Sequence, residues 1–156
     1  MKRALISVLL PIVVVLVGVV AFIWWERGAP PGMRPTPEDT QPSTVTLDHR
    51  GVHMPITAHL AGRIEQRMDG ETFHLYPVFD KGDRDGRHAR VILRTRLTPS
   101  TLYTYEERTV TGFARPPGRL LPKSARDAFE KRGYSLDEHL VLVDEWEDLA
   151  GTPPKG

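Results

Sequence analysis

The residues of this chain best equipped for chemistry are three histidines, a carboxylate cluster and an arginine-rich stretch. His49 and His53 stand four apart, and His59 follows six residues later. An i, i+4 pair on a helix can present two imidazoles to one metal ion. The local sequence LDHRGVHMP contains Gly51 and reads as a loop, which favours surface histidines. His49 and His53 remain the candidate ligands for a noncovalent haem or metal. Asp144, Glu145, Glu147 and Asp148 bracket Trp146, and paired acids can perform acid–base work or bind a hard cation. The alternative is a solvated strand end. No serine lies in a G-x-S-x-G or S-x-x-K setting. Cysteine is absent, which excludes disulfides, thiolate nucleophiles and Cys-ligated metal centres. The expectation is a protein that is not an enzyme and has no built-in cofactor.

Arg84, Arg87, Arg90, Arg94 and Arg96 form the densest basic stretch. Arg90, Arg94 and Arg96 share parity, so on a strand they project from one face. With Tyr76, expected on the outward face of a neighbouring hairpin, they make a candidate binding surface for an anionic group or an acidic partner protein. Lys and Arg total 21 against 20 Asp and Glu, so no general attraction to nucleic acid is expected.

The elements that must position these residues follow from periodicity. In 56–66, Ile56, Ala58, Leu60, Gly62 and Ile64 alternate with Thr57, His59, Arg63 and Glu65. Asp69-Gly70 is a type I′ hairpin signal, and 72–79 follows with Phe73, Leu75, Pro77 and Phe79 on one face. A turn centred there pairs Met68 with Glu71, Ile64 with Leu75 and His74 with Glu65. It also sets Leu60 against Phe79 and Gly62 against Pro77. Further strands are expected over 88–97, 102–114 and 139–146. In the last, Leu140, Leu142 and Trp146 oppose Val141 and Val143. Ser124-Ala-Arg-Asp127 reads as a capping box opening a helix that buries Ala125 and Phe129 and stops at Gly133.

Five strands and one short helix in about 105 residues (45–149) predict a mainly β, OB-like barrel. A small open α+β sheet is the alternative. A typical OB-fold carries its helix between strands three and four, and here it falls between four and five.

Ahead of this domain, Ala4–Trp25 is free of charge and rich in Val, Leu and Ile. As a helix these residues span roughly 33 Å, the thickness of a bilayer core. Residues 1–27 are therefore expected to be a single transmembrane anchor. Lys2 and Arg3 place the N-terminus in the cytoplasm, with Trp24 and Trp25 at the far interface. Residues 28–44, with five prolines and two glycines in Gly28–Ser43, are expected to be an extended spacer, and 150–156 a frayed tail. The domain then lies on the periplasmic or extracellular side, where a membrane or periplasmic protein partner is expected.

Thr109-Val-Thr-Gly-Phe-Ala114 and Leu140-Val-Leu-Val143 resemble the last two strands of the CcmE-type membrane-anchored haem chaperones of cytochrome c maturation. The resemblance implies an anchored OB-type barrel. That family attaches haem through a histidine just after its last strand. Here that position reads Asp144-Glu145-Trp146-Glu147-Asp148, with neither His nor Tyr. The resemblance therefore implies architecture and not covalent haem attachment.

Overall fold

A computed structural model describes residues 12–22 and 31–147. Residues 12–22 form a helix (α1) whose side chains are exposed. Among the described residues no helix is long and apolar enough to cross a membrane. The remainder of the expected span, 4–11 and 23–25, lies outside the described residues, as does the expected tail.

The second compact unit begins at Pro35 and is mainly β. Its strands are β1 (Glu38–Asp39), β2 (Gly51–His59), β3 (Ile64–Met68), β4 (Glu71–Asp80), β5 (His88–Thr95), β6 (Tyr105–Arg115) and β7 (Ser135–Glu145). They follow the order β1-β2-β6-β7-β5-β4-β3, and a further pairing of β2 with β4 closes β2, β6, β7, β5 and β4 into a five-stranded barrel. Closure removes the open α+β sheet as an alternative. Every barrel pairing is antiparallel except β5 with β7.

The hairpin register is the one the turn chemistry dictates. Asp69 and Gly70 both take positive φ, 51° and 81°, and Met68 pairs with Glu71, Glu65 with His74 and Ile64 with Leu75. The expected single strand over 56–66 is broken, however, by a 3₁₀ turn at Leu60–Gly62. Leu60 and Gly62 therefore do not continue the ladder, and Thr57 rather than Leu60 pairs with Phe79. The bend lets one stretch of chain serve as a wall strand (β2) and then as the hairpin arm (β3). Gly62 fits because no side chain would: an added Cβ would lie 2.7 Å from the Tyr134 ring and 2.8 Å from Pro77.

Two apolar layers result. Val52, Met54, Ile56, Val78, Leu93, Val110, Val141 and Val143 fill the barrel. Leu75, Phe79, Ile92, Leu140 and Leu142 point outward and are covered by Leu121 and by the helix α2 (Lys123–Lys131) through Ala125 and Phe129. The inward and outward halves of β7 divide as period two requires.

In α2, Ala125 and Phe129 are buried as expected, but Ser124 is not the cap. Pro122 holds the N-cap position in extended conformation with no side-chain cap bond, and Ser124 falls inside the first turn. At the other end Gly133 takes φ 85°. Its N–H donates to Glu130 O, and the Tyr134 N–H donates to Phe129 O. That Schellman closure aims Tyr134 into the outer core.

The expected spacer also gives way at its C-terminal end. Glu38–Asp39 pairs in parallel with Val52–His53, Ser43 N–H donates to Asp80, and Val45 is fully buried in the barrel core. The barrel unit therefore starts about ten residues before position 45.

Candidate functional site

Of the sequence-derived surface, Tyr76 is misplaced. It lies in the barrel core at 3% exposure, because in β4 Tyr76 and Val78 point inward while Leu75 and Phe79 point toward α2. Both faces of this strand are apolar, so parity alone could not tell inside from outside. Burial pushes the Tyr76 hydroxyl above the usual phenol range.

The three arginines are engaged within the protein. Arg94 is 5% exposed, donates to Asp144 at 2.8 Å and stacks its guanidinium 3.6 Å over the Phe73 ring. Arg115 pairs with the other Asp144 oxygen at 3.1 Å. Arg96 bridges Glu147 at 3.0 Å and Glu71 at 3.1 Å. Arg90 donates to Ser43 O at 3.1 Å. Asp144 and Glu147, at the end of β7 and just after it, are thus the counter-charges of Arg94 and Arg96. Glu145 completes the pattern: its side chain is fully buried and takes a bidentate pair from Arg108.

His49 and His53 each have one ring nitrogen engaged within the protein. His49 Nδ1 accepts from Thr46 N–H at 3.1 Å, and His53 Nδ1 bonds the Thr111 hydroxyl at 2.8 Å. Among the described residues no group of three or more His, Asp or Glu is arranged to hold a metal ion. His74 faces Glu65 across the hairpin, yet it is buried rather than on a solvated face. Burial lowers its pKa, the nearby Arg63 charge adds to that, and Glu65 opposes it.

Two further arginines without a carboxylate partner among the described residues come together elsewhere. A cleft of about 420 Å³ is lined by Leu60, Ala61 and Arg63 from the 3₁₀ turn, by Pro99, Ser100, Thr101, Tyr103 and Thr104 from the loop 96–104, and by Arg132 from the end of α2. Arg63 has no ion pair among the described residues. Arg132 makes a 3.2 Å bond to the Ala128 carbonyl and has no acidic partner there either. Arg63 and Arg132 thus line one cleft together with the hydroxyl-bearing Ser100, Thr101, Tyr103 and Thr104, and a guanidinium fork is the side chain whose geometry suits a phosphate or carboxylate.

Local bonds hold this cleft in shape. Leu60 N–H donates to Thr104 O at 2.9 Å, joining turn to loop, and Arg63 N–H closes the turn on Leu60 O. Behind them His59 is fully buried, not a surface histidine. Its Nε2 lies 3.0 Å from the Asp83 carbonyl, which can only accept, so Nε2 carries the proton and Nδ1 accepts from the Tyr134 hydroxyl at 3.1 Å. The rings of Phe79, Tyr105 and Tyr134 surround it at 4.4, 4.9 and 5.8 Å. Burial lowers the His59 pKa, which disfavours the charged imidazolium.

Arg63 and Arg132 are nearly seventy residues apart in sequence, and neither carries a pattern that singles it out. The one local clue is Arg63 directly after Gly62, where the alternation of 56–66 is interrupted. Comparison of the chain with protein-family models, with curated proteins and with solved structures finds no match.

Proposed function

We propose that this chain is a non-enzymatic, membrane-tethered binding module that takes an anionic group, phosphate or carboxylate, in the Arg63–Arg132 cleft. The observation that carries the reading is that these two arginines share one walled cleft without an acidic partner among the described residues. Arg94, Arg96, Arg108 and Arg115, by contrast, each meet a carboxylate. The lining also offers hydroxyls but no nucleophile–base pair, which fits binding rather than turnover.

An OB-like classification of the barrel is supported by its five closed strands and by where the cleft lies. OB-folds bind ligands with the loops joining strands one to two and four to five. Here the segment between the first two barrel strands supplies Arg63, and the segment between the last two supplies Arg132. The placement of α2 between the fourth and fifth barrel strands departs from the usual position between three and four.

The tether is the uncharged run Ala4–Trp25, and the helical state of 12–22 is in keeping with it. Lys2 and Arg3 orient it with the barrel outside the cytoplasm.

Calorimetric titration of inorganic phosphate into the full chain in detergent tests the reading. Saturable binding is expected, weakened about tenfold or more by Arg63→Gln or Arg132→Gln. Absence of saturable binding, or binding that ignores both substitutions, would overturn it.

A further inference from the structure

The loop that walls the cleft carries the two most exposed large apolar side chains of the barrel unit. Leu102 is 84% exposed and Tyr103 67%, and Leu97 at the loop's start is exposed as well. The loop is nevertheless ordered by its own polar bonds: Leu97 N–H donates to the Thr95 hydroxyl and Leu102 N–H to Ser100 Oγ, both within hydrogen-bond distance. A leucine and a tyrosine held side by side out in water, beside the cleft, make an apolar tip that a partner surface can cover. Tyrosine and leucine beside cations are the composition that rests at a lipid headgroup boundary: the ring and alkyl groups enter the acyl edge, and arginine stays at phosphate level.

We infer that the tip of loop 96–104, with Arg63 and Arg132 beneath it, docks on an anionic lipid surface, the headgroup phosphate occupying the cleft. This rests on the anion-binding reading above and names the source of the anion. The charge pattern selects lipid over nucleic acid. A strand of nucleic acid needs a run of cations along its backbone. The cleft offers two, and the chain as a whole is close to neutral, at +1. A single headgroup needs no more than two, provided apolar contact supplies the rest.

The absence of cysteine makes the test clean. The full chain with Leu102→Cys, labelled with an environment-sensitive fluorophore, is reconstituted into bilayers of phosphatidylcholine alone or with one part in three phosphatidylglycerol (about 30%, enough for a negative surface potential). The blue shift of the dye and its quenching by brominated acyl chains are read, with Glu138→Cys as a labelled control on a side chain 86% exposed in the β7 region. The expected result is a shift and quenching at position 102 in the anionic bilayer. It should be reduced about tenfold in quenched fraction by Arg63→Glu with Arg132→Glu, and be absent at position 138. The neutral pair Arg63→Gln with Arg132→Gln, checked by circular dichroism for an unchanged fold, should reduce it in the same direction.

If phosphate titrates into the cleft but position 102 responds to neither bilayer, the lipid source is wrong and the anion-binding reading stands. If a single-stranded oligonucleotide binds with arginine dependence while bilayers do not, the occupant is a polyanion and the lipid inference falls. If the dye responds equally in both bilayers regardless of the arginines, the headgroup phosphate has no part and the inference falls. If neither phosphate nor bilayer responds, both readings fall.

Discussion

Arginine does two different jobs in two regions of this molecule. Along β5–β7, Arg94, Arg108 and Arg115 are drawn into the sheet and neutralised by Asp144 and Glu145. Around the Leu60–Gly62 turn and the end of α2, Arg63 and Arg132 border an open cleft and are not neutralised by any described residue. The first set contributes to a unique fold, because a buried guanidinium tolerates only the arrangement that pairs it. The second leaves charge available to a ligand. A matched arginine should therefore matter to stability and little to binding, and an unmatched one the reverse.

The largest effect should come from breaking a matched pair. Glu145→Gln removes the fully buried carboxylate of the Arg108 pair, leaving that guanidinium only the more exposed Glu106 at 3.3 Å, and should cost about 3 kcal/mol in urea unfolding. A cost below about 1 kcal/mol would mean that Glu106 and water replace Glu145. Next comes the wall between the regions. Gly62→Ala puts a methyl 2.7 Å from the Tyr134 ring and 2.8 Å from Pro77, and should destabilise by about 1–3 kcal/mol.

Smaller is the pH effect of the histidine behind the cleft. Burial holds the folded-state pKa of His59 below the ordinary 6.5, and that of His74 as well. The unfolded chain then binds more protons than the folded one below about pH 6.5. Stability should be full above that value and decline as pH falls through it toward the lowered folded-state values. His59→Gln should flatten the decline measured by thermal unfolding between about pH 7 and 5, and an unchanged slope would show that His59 takes up its proton without cost. The smallest stability change belongs to the unmatched pair: Arg63→Gln with Arg132→Gln should stay within about 0.5 kcal/mol.

How much of this was legible in the sequence depends on the range of the determinant. The hairpin was legible from Ile64 to Leu75, because Asp69-Gly70 fixes its register locally, while its expected extension to Leu60 and Gly62 was not. So were the two faces of β7 and the buried stripe of α2, each a matter of period. Tyr76 was not, because β4 buries both faces and only the distant α2 reveals which is the inside. Ser124 lost the cap to Pro122, which enters the helix extended and already lacks an N–H. The arginine stretch and the acidic cluster were each visible, but not that β5 and β7 lie side by side and cancel them. His59 looked like a surface histidine because its cage of Phe79, Tyr105 and Tyr134 is assembled from three distant segments. The cleft was out of reach for the same reason: its two cations come from opposite ends of the barrel sequence.

The central claim, that unmatched arginines make the cleft a receptor while matched ones do not, is tested most directly by one pair of titrations. Inorganic phosphate is titrated into the full chain carrying Arg63→Gln with Arg132→Gln, and into one carrying Arg96→Gln, an exposed arginine already paired with Glu71 and Glu147. The account predicts that the first loses saturable binding and the second keeps the affinity of the unaltered chain. Equal loss in both, or retention in the first, would contradict it.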